Sequence, residues 1–327
     1  VLLESVSFVY IICVLCGYQV KFFITPLTIK MKDKKYYSIK KNFLAIEEQY
    51  SDYKNSKIAI LPVPYEVTTS YGKGTAKGPM AILKASHYVE FFDEELNREL
   101  CFEKGICSVK SLDMTDKRGS AALEYIQKHV AQLMADNKFV VTLGGEHTIS
   151  TAPIKAHFDK YPDMTVLHFD AHSDLREEYE GTKFSHACFA KRVSEFTTNI
   201  TQVGIRAQSI EEYSYIKEKD IKTFYAYEIR NGRYGVDWQN MVLSTLSDNV
   251  YITFDVDYFD PSIMPSTGTP EPNGLYWAET MNLLKRLGET KNVVGFDVVE
   301  LAPRKDFTYP DFMTAKLIYK MLNYFIK

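Results

Sequence analysis

Cysteine is scarce in this sequence, and its spacing forms no recognisable framework. The 327 residues contain five cysteines, an odd number, and Cys101, Cys107 and Cys188 lack the regular spacing of a disulfide scaffold. This pattern excludes a small fold held together by disulfides. It favours a protein of a reducing compartment.

The chain also lacks an excess of charge of one sign. Lysine and arginine total 39 against 42 aspartates and glutamates, a formal net charge of −3. Such a balance gives no general attraction to nucleic acid or to anionic lipid, and we expect neither as a partner. Hydrophobic residues make up 46% of the sequence, enough for the core of one large α/β domain or two small ones.

No apolar run reaches the length that indicates a membrane span. The candidate, Ser5–Val20, has 16 uncharged residues, and roughly 18 are needed. Glu4 precedes it and Lys21 follows it without a small-residue cleavage site, which argues against a secretory signal. We therefore expect residues 1–30 to be a dispensable N-terminal extension, with Met31 beginning the functional chain and no association with a membrane.

No linker, repeat or low-complexity stretch divides the remainder, so we predict one domain over residues 40–327. Apolar runs typical of strands alternate there with segments of helical periodicity. The predicted strands are Ile58–Pro62, Phe139–Leu143, Thr165–Phe169, Gln202–Ile205, Val250–Phe254 and Val293–Val298. The predicted helices are Gly119–Asn137, Thr148–Tyr161, Ile210–Lys219, Ala278–Gly288 and Asp311–Ile326. Because most of these strands are too apolar to be half-exposed, the alternation predicts an α/β fold with a buried, mostly parallel sheet.

Three of the predicted strands are followed by carboxylates and imidazoles. Ligands in such folds lie outside the carboxyl ends of the strands, and residues two apart on extended backbone share a face. The residues that can converge there are His147, Asp170, His172, Asp174, Asp255 and Asp257. Two imidazoles and four carboxylates exceed the needs of one ion but suit two divalent cations that share carboxylates. The oxygen-rich donor set favours Mn²⁺, with Zn, Co and Fe as alternatives.

The motifs around these residues resemble the signatures of a known enzyme family. They are Gly144–His147, His168–Asp174 and Thr253–Asp257, followed by Asp260-Pro261 and Gly268–Pro272. From about residue 58 to the C-terminus, the chain resembles the ureohydrolase family of arginases and agmatinases, and is closest to the agmatinase branch. The resemblance implies a three-layer α/β/α sandwich of the arginase type and two Mn²⁺ ions per chain. It also implies hydrolysis of a guanidino group to urea and an amine, and a homotrimer or homohexamer in the cytoplasm.

The resemblance assigns each metal ligand by position. It implies that His147 and Asp174 bind one ion and that His172 and Asp257 bind the other. Asp170 and Asp255 are then shared between the two ions.

The resemblance also implies three catalytic residues. His186 falls at the position of a proton-shuttling histidine, and Asp174 would move protons together with it. Glu300 falls at the position of the carboxylate that holds the guanidinium, a planar cation that suits a bidentate anionic acceptor. The chain departs from many relatives in having Ala187-Cys188 after the histidine, which affects the assignment of His186 more than that of the metal ligands.

Four further residues have alternative interpretations. His168 is either a partner of the metal ligand Asp170 or a packed core histidine. Glu146 either orients a ligand or stabilises a turn. Arg206 is either a structural ion-pair residue or a substrate contact. Asn273 stands where many relatives have glycine, and we expect it to keep the left-handed turn because asparagine tolerates that backbone.

The expected substrate is agmatine, cleaved to putrescine and urea, rather than arginine. Glu271-Pro272 resembles the agmatinase branch, and the segment after Asp174 has a net charge of −1 that would attract an ammonium tail. The charged residues of that segment are Arg176, Glu177, Glu178, Glu180 and Lys183. An inward-pointing Arg176 would instead favour a substrate with a carboxylate. The alternatives are an arginase, a guanidino-acid hydrolase such as a guanidinobutyrase, or a formiminoglutamase; a non-catalytic guanidino-binding relative is disfavoured because no ligand is missing.

Overall fold

The structure, a computed structural model, describes residues 39–327. The expected extension over residues 1–30 lies outside the described residues, so that expectation and the domain boundary at residue 40 stay predictions. Eight strands in the described range join in one sheet, in the order β2-β1-β3-β8-β7-β4-β5-β6. Their bounds are β1 Ile58–Val63, β2 Ile106–Ser108, β3 Phe139–Gly144, β4 Thr165–Phe169, β5 Ile200–Ile205, β6 Lys222–Tyr225, β7 Asn249–Asp255 and β8 Asn292–Val299.

Every pair of neighbouring strands in this sheet is parallel. The predicted α/β class is therefore confirmed, and the described sheet is parallel throughout rather than mostly. Strands β3, β8, β7 and β4 occupy its centre. Because the carboxyl ends of parallel strands meet at one edge, residues that follow these four strands come together there.

Helices cover both faces of the sheet. Their bounds are α1 Glu48–Ser51, α2 Gly78–Ser86, α3 Leu100–Lys104, α4 Gly119–Ala135, α5 Thr151–Phe158, α6 Phe189–Ser194, α7 Ile210–Lys219, α8 Ala226–Arg230, α9 Trp238–Ser244, α10 Trp277–Thr290 and α11 Tyr309–Phe325. Side chains of a strand point alternately to its two sides. Ala59 of β1 packs in a cluster with Ile126 of α4, whereas Ile60 belongs to the opposite cluster with Ile318 of α11. The three-layer arrangement is confirmed. None of the helices within residues 39–327 has the length and apolar character that crossing a lipid bilayer requires.

The predicted elements are present, most of them with shifted ends, and two short edge strands and six of the described helices were not predicted. Thr148–Tyr161 was expected as one helix, but a 3₁₀ turn over His147–Ser150 precedes α5, which ends at Phe158. Strand β2 has only three residues. Strand β6 begins with an exposed lysine and has one buried residue, so neither edge strand forms the long apolar run that reveals a buried strand.

Candidate metal centre and active-site pocket

The six predicted ligands lie together at the carboxyl edge of the four central strands. His147 begins the 3₁₀ turn after β3, Asp255 is the last residue of β7, and the segment Asp170–Asp174 follows β4. We refer to His147, Asp170, His172, Asp174, Asp255 and Asp257 as the strand-end cluster. Except for His172, which is part-buried, these side chains are buried. The expectation that the strand ends bring them together therefore agrees with the structure.

His147 directs one ring nitrogen at three carboxylates. Its Nδ1 lies 3.0 Å from Asp170 Oδ2, 3.4 Å from Asp174 Oδ2 and 3.2 Å from Asp255 Oδ2. The same nitrogen is buried and forms no hydrogen bond of acceptable geometry among the described residues. A buried nitrogen without such a bond, surrounded by acceptors, is the arrangement expected where a cation belongs.

The other side of the His147 ring indicates which nitrogen carries the proton. Its Nε2 lies 2.9 Å from Thr253 Oγ1, and that hydroxyl donates to Asp297 Oδ1 at 2.8 Å. Since the single hydroxyl proton is directed at Asp297, Thr253 accepts from the Nε2–H of His147. The Nδ1 of the neutral ring is then a free lone pair, which suits a metal ion. Phe189 stacks on the ring with centroids 3.7 Å apart and restricts its orientation.

His172 forms the second part of the cluster. Its Nδ1 lies 2.9 Å from Asp257 Oδ2 and 3.5 Å from Asp170 Oδ1. Asp170 therefore turns one oxygen towards His147 and the other towards His172, the geometry expected of a shared ligand. Asp255 contacts His147, but no contact with His172 is present among the described residues. The sharing of Asp255 stays a prediction.

The carboxylates of the cluster repel one another when no cation is between them. Burial and the charges of its acidic neighbours raise the pKa of Asp255 well above its usual value. Burial and the charge of Asp170 raise the pKa of Asp174 to about 7. Bound cations would neutralise this charge, so the donor set and its electrostatics both fit divalent metal ions.

His168 contacts the cluster and is not simply packed in the core. Its Nε2 lies 2.7 Å from Asp170 Oδ2, and its Nδ1 lies 3.1 Å from Gln202 Nε2. Gln202 Nε2 also donates to Ser173 O at 2.8 Å, which identifies that atom as the amide nitrogen. His168 Nδ1 thus accepts from Gln202, and its Nε2–H donates to Asp170. Of the two interpretations, the partner of the metal ligand is the one that agrees with the structure.

Glu300 follows β8 and faces the cavity beside the cluster. It has a left-handed backbone, with φ of 64°, and its Oε1 accepts from the backbone N–H of His147 at 2.6 Å. Burial and the nearby charge of Glu146 raise the pKa of Glu300 well above its usual value. A buried, under-compensated carboxylate in a cavity is suited to a cationic group.

One cavity of about 220 Å³ contains the predicted catalytic residues. They are His186, Asp174 and Glu300. Burial lowers the pKa of His186, which favours the neutral ring. The structure therefore brings together an imidazole, a carboxylate for a cation and the candidate metal ligands in a single space.

Two loops wall this cavity; sequence reasoning singled out the second of them and missed the first. They are residues 66–74 and 265–272, which we call the loop wall, and Gly72 N donates to Gly268 O at 3.1 Å between them. A Cβ on Gly72 would lie 2.6 Å from that oxygen, so the close approach requires glycine. No periodicity or motif marked residues 66–74, so sequence reasoning had no signal for the first loop.

Glu146 anchors the first loop of the wall and forms no hydrogen bond with the strand-end cluster among the described residues. It is fully buried, and its Oε2 accepts from Val67 N at 2.5 Å and from Thr68 N at 2.7 Å. Its Oε1 accepts from the hydroxyls of Thr68 and Thr148. The turn-stabilising interpretation of Glu146 is thus the one that agrees with the structure.

Arg206 anchors the second loop, so it has a structural role, although no ion pair of this side chain is present among the described residues. Its guanidinium donates to backbone carbonyls rather than to a carboxylate, including Asp257 O at 2.6 Å and Glu271 O at 2.9 Å. It also donates to Pro272 O at 3.1 Å. The flat guanidinium with five donors holds two chain segments at once. Asn273, just beyond, has φ of 66°, so the expected left-handed turn is present.

The charge argument for the substrate stays a prediction. Of the five charged residues after Asp174, only Arg176 lines the cavity. Glu177 instead contacts Arg192 at 2.9 Å. Arg176 Nε lies 3.8 Å from Glu212 Oε2, a buried carboxylate that also lines the cavity. Arg176 and Glu212 therefore present a cation and an anion together in the lining of the cavity.

Comparisons with known proteins agree with this geometry. The sequence matches the Arginase family over residues 56–324. An N(1)-aminopropylagmatine ureohydrolase from Synechocystis sp. is 39% identical over 296 residues, which cover 89% of this chain and 95% of that protein. An agmatinase from Halalkalibacterium halodurans is 33% identical over 265 residues, covering 78% of this chain and 87% of that protein. The solved agmatine ureohydrolase of Thermoplasma volcanium superimposes with a TM-score of 0.77 at 29% identity, covering 88% of this chain and 94% of that structure.

Proposed function

This chain belongs to the arginase family, and on that premise we propose that it hydrolyses a guanidino-amine to urea and an amine. The observation that supports the proposal is the joint placement of the strand-end cluster and Glu300 in one cavity. A metal-binding cluster alone would suit many hydrolases. A buried carboxylate beside it adds a site for a planar cation.

We propose that Glu300 holds the guanidinium group of the substrate. Its Oε1 already accepts from the backbone N–H of His147, which fixes the carboxylate against the cluster. The guanidinium would bring two parallel N–H donors to this carboxylate and relieve its unfavourable burial. The reacting carbon would thereby lie next to the cluster.

The cluster would hold two divalent cations, Mn²⁺ as the expected metal. His147 and Asp174 would bind one, His172 and Asp257 the other, with Asp170 and Asp255 shared. When bound, the cations would supply Lewis acidity and lower the pKa of a coordinated water. The protein's own contribution is a fixed set of ligand atoms, with the Nε2–H of His147 bound to Thr253 so that Nδ1 is the atom that would face a cation.

We propose that His186 and Asp174 move protons during the reaction. His186 lines the cavity and its lowered pKa keeps the ring neutral, ready to accept a proton. Returning that proton to the departing nitrogen lets the amine leave neutral. Ions bound at the cluster would make Asp174 ionised, so its carboxylate could accept a proton as well.

The preferred substrate is agmatine, with its N-aminopropyl derivative as the second candidate. The agmatinase relatives favour the first, and the 39% identity to the N(1)-aminopropylagmatine ureohydrolase favours the second. Glu212 in the cavity lining could receive an amine, although Arg176 beside it opposes a cation. Glu271, whose Oε1 lies 3.9 Å from His172 Nε2, adds an acidic group nearby.

The decisive experiment compares urea release from four compounds by the Mn²⁺-loaded protein. These are agmatine, N(1)-aminopropylagmatine, arginine and 4-guanidinobutyrate. We expect the highest kcat/KM for one of the two amines, and their ratio decides between the candidates. A preference for either carboxylate-bearing compound would contradict the proposal and identify Arg176 as the determinant. Light scattering on the same sample tests the expected trimer or hexamer.

A further inference from the structure

Thr68, on the first loop of the wall, connects Glu146 with His186. The segment reaches this position because Gly145 allows a close crossing: a Cβ there would lie 1.9 Å from Tyr65 O. Beyond the crossing, the carboxylate of Glu146 binds the backbone N–H groups of Val67 and Thr68. The Thr68 side chain is thereby directed at His186.

The hydroxyl of Thr68 makes three polar contacts. Thr68 Oγ1 lies 2.8 Å from Glu146 Oε1, 3.1 Å from the backbone N of His186 and 3.1 Å from His186 Nδ1. A hydroxyl has one proton to donate and two lone pairs to accept with. The backbone N–H of His186 is a donor and occupies one of the lone pairs.

Only one placement of the Thr68 hydroxyl proton satisfies all three of its contacts. Glu146 already accepts hydrogen bonds at both of its oxygens, from two backbone N–H groups and from the Thr148 hydroxyl, and the Thr68 hydroxyl donates to it as well. The second lone pair of Thr68 then accepts from His186 Nδ1, which must carry hydrogen. Ser185 Oγ lies 3.3 Å from the same nitrogen and can accept from it as well.

We propose that Thr68 is a positioning residue that, backed by Glu146, fixes the tautomer of His186 with hydrogen on Nδ1. The Nε2 of His186 has no hydrogen-bond partner among the described residues and is then an unprotonated lone pair in the cavity. A proton taken up at Nε2 gives an imidazolium whose Nδ1–H bond to Thr68 is kept. The inference rests on the proposed role of His186 as the proton carrier.

The test replaces Thr68 with valine, which keeps the shape and removes the hydroxyl. In T68V we expect kcat for the preferred guanidino-amine to fall about tenfold to a hundredfold, the range known for partners of functional histidines. We expect KM to stay within about twofold, because Thr68 contacts His186 rather than the substrate. T68S retains the hydroxyl and should restore most of kcat. Metal analysis should find the parent's content in both variants.

Thr148 provides the matched control. Its hydroxyl donates to the same Glu146 oxygen at 2.7 Å but makes no contact with His186. T148V therefore removes an equivalent bond to Glu146, and we expect its kcat to fall far less than that of T68V. Equal losses in the two variants would mean that Glu146 and the loop are affected rather than the tautomer, and would overturn the inference.

The pair His186 and Thr68 is tested in one double-mutant cycle. If Thr68 acts through His186, then T68V causes no further loss of kcat in an H186A background. Additive losses would overturn the positioning role. An H186A variant with the parent's kcat would instead refute the proposed role of His186 itself, so the two failures are distinguishable.

Discussion

The strand-end cluster and the loop wall border the same cavity but are held in place by different means. Backbone hydrogen bonds between parallel strands place the cluster, since its residues follow β3, β4 and β7 directly. Single side chains place the loop wall, namely the buried Glu146 at residues 67–68 and the part-buried Arg206 at residues 271–272. Because the two regions are held differently, we expect substitutions in them to have different measurable effects. Substitutions in the cluster should lower metal content and activity, whereas substitutions of the loop anchors should lower the free energy of unfolding.

The largest effect is expected for Asp255→Asn in the cluster. Asn keeps the oxygen that accepts from Asp257 N at 2.8 Å, but it removes a charge that two cations would share. We expect metal analysis to find fewer ions than in the parent and kcat/KM for the guanidino-amine to fall at least about a thousandfold.

The same variant also tests whether the cluster contributes to stability. Because burial and repulsion raise the pKa of Asp255 in the metal-free protein, its charge opposes folding at neutral pH. We expect the metal-free variant to have an unchanged or higher Tm than the metal-free parent. The exposed Asp159→Asn is a control that should retain both metal and activity. A D255N protein that bound the full metal content would contradict the assignment.

The next largest effect is expected for Glu300→Gln, at the border between the two regions. Gln can still accept from the backbone N–H of His147, but it cannot form a charge-assisted pair with a guanidinium. We expect kcat/KM to fall about a hundredfold to a thousandfold, corresponding to about 3–4 kcal/mol. Metal content should stay at the parent level. Loss of metal would mean that Glu300 supports the cluster rather than the substrate.

The sequence was sufficient to predict the cluster because strand ends follow a local rule. Apolar runs reveal buried strands, parallel strands end at one edge, and Asp255 and Asp257 stand directly at such an end. The loop wall follows no such rule. Thr68 and Glu146 are 78 positions apart, and Arg206 meets Glu271 over 65 positions. Only the tertiary fold determines which backbone carbonyls surround a guanidinium, so no pattern in the chain distinguishes Arg206 from an ordinary ion-pair residue.

An intermediate effect is expected for His168→Phe, which removes a donor behind the cluster. The Nε2–H of His168 donates to Asp170 Oδ2 at 2.7 Å and orients that carboxylate. Losing such a partner typically weakens metal binding about tenfold to a hundredfold. Competition with a chelator should measure this drop in affinity for Mn²⁺.

His157→Phe is the matched control for that variant. His157 is an equally buried histidine, but its Nδ1 contacts Pro153 O and not the cluster. It should leave the affinity for Mn²⁺ unchanged, even if the variant unfolds at a lower temperature. Equal affinities for Mn²⁺ in H168F and the parent would mean that the hydrogen bond from His168 to Asp170 does not contribute to metal binding.

The smallest effect on the chemistry, and the clearest on stability, is expected for Arg206→Met in the loop wall. Methionine fills the space of the arginine stem but leaves the carbonyls of Asp257 and Glu271 without a donor. Hydrogen bonds to a charged group contribute about 1.5–3 kcal/mol, so we expect the free energy of unfolding to fall by about 2–3 kcal/mol. Thermal unfolding should show this as a Tm lower by several degrees.

The metal content of R206M distinguishes a loss of stability alone from a loss of ligand positioning. The Asp257 carboxylate keeps its own anchor, because its Oδ1 accepts from Ala171 N at 3.0 Å. The cluster should therefore still bind the parent's number of ions. Lys222→Met is the control, since that lysine pairs with Asp220 at the surface, where both side chains are exposed and such pairs contribute little. An R206M variant with the parent's Tm but without its metal would show that the loops position the strand-end cluster. The two regions would then not be held independently of each other.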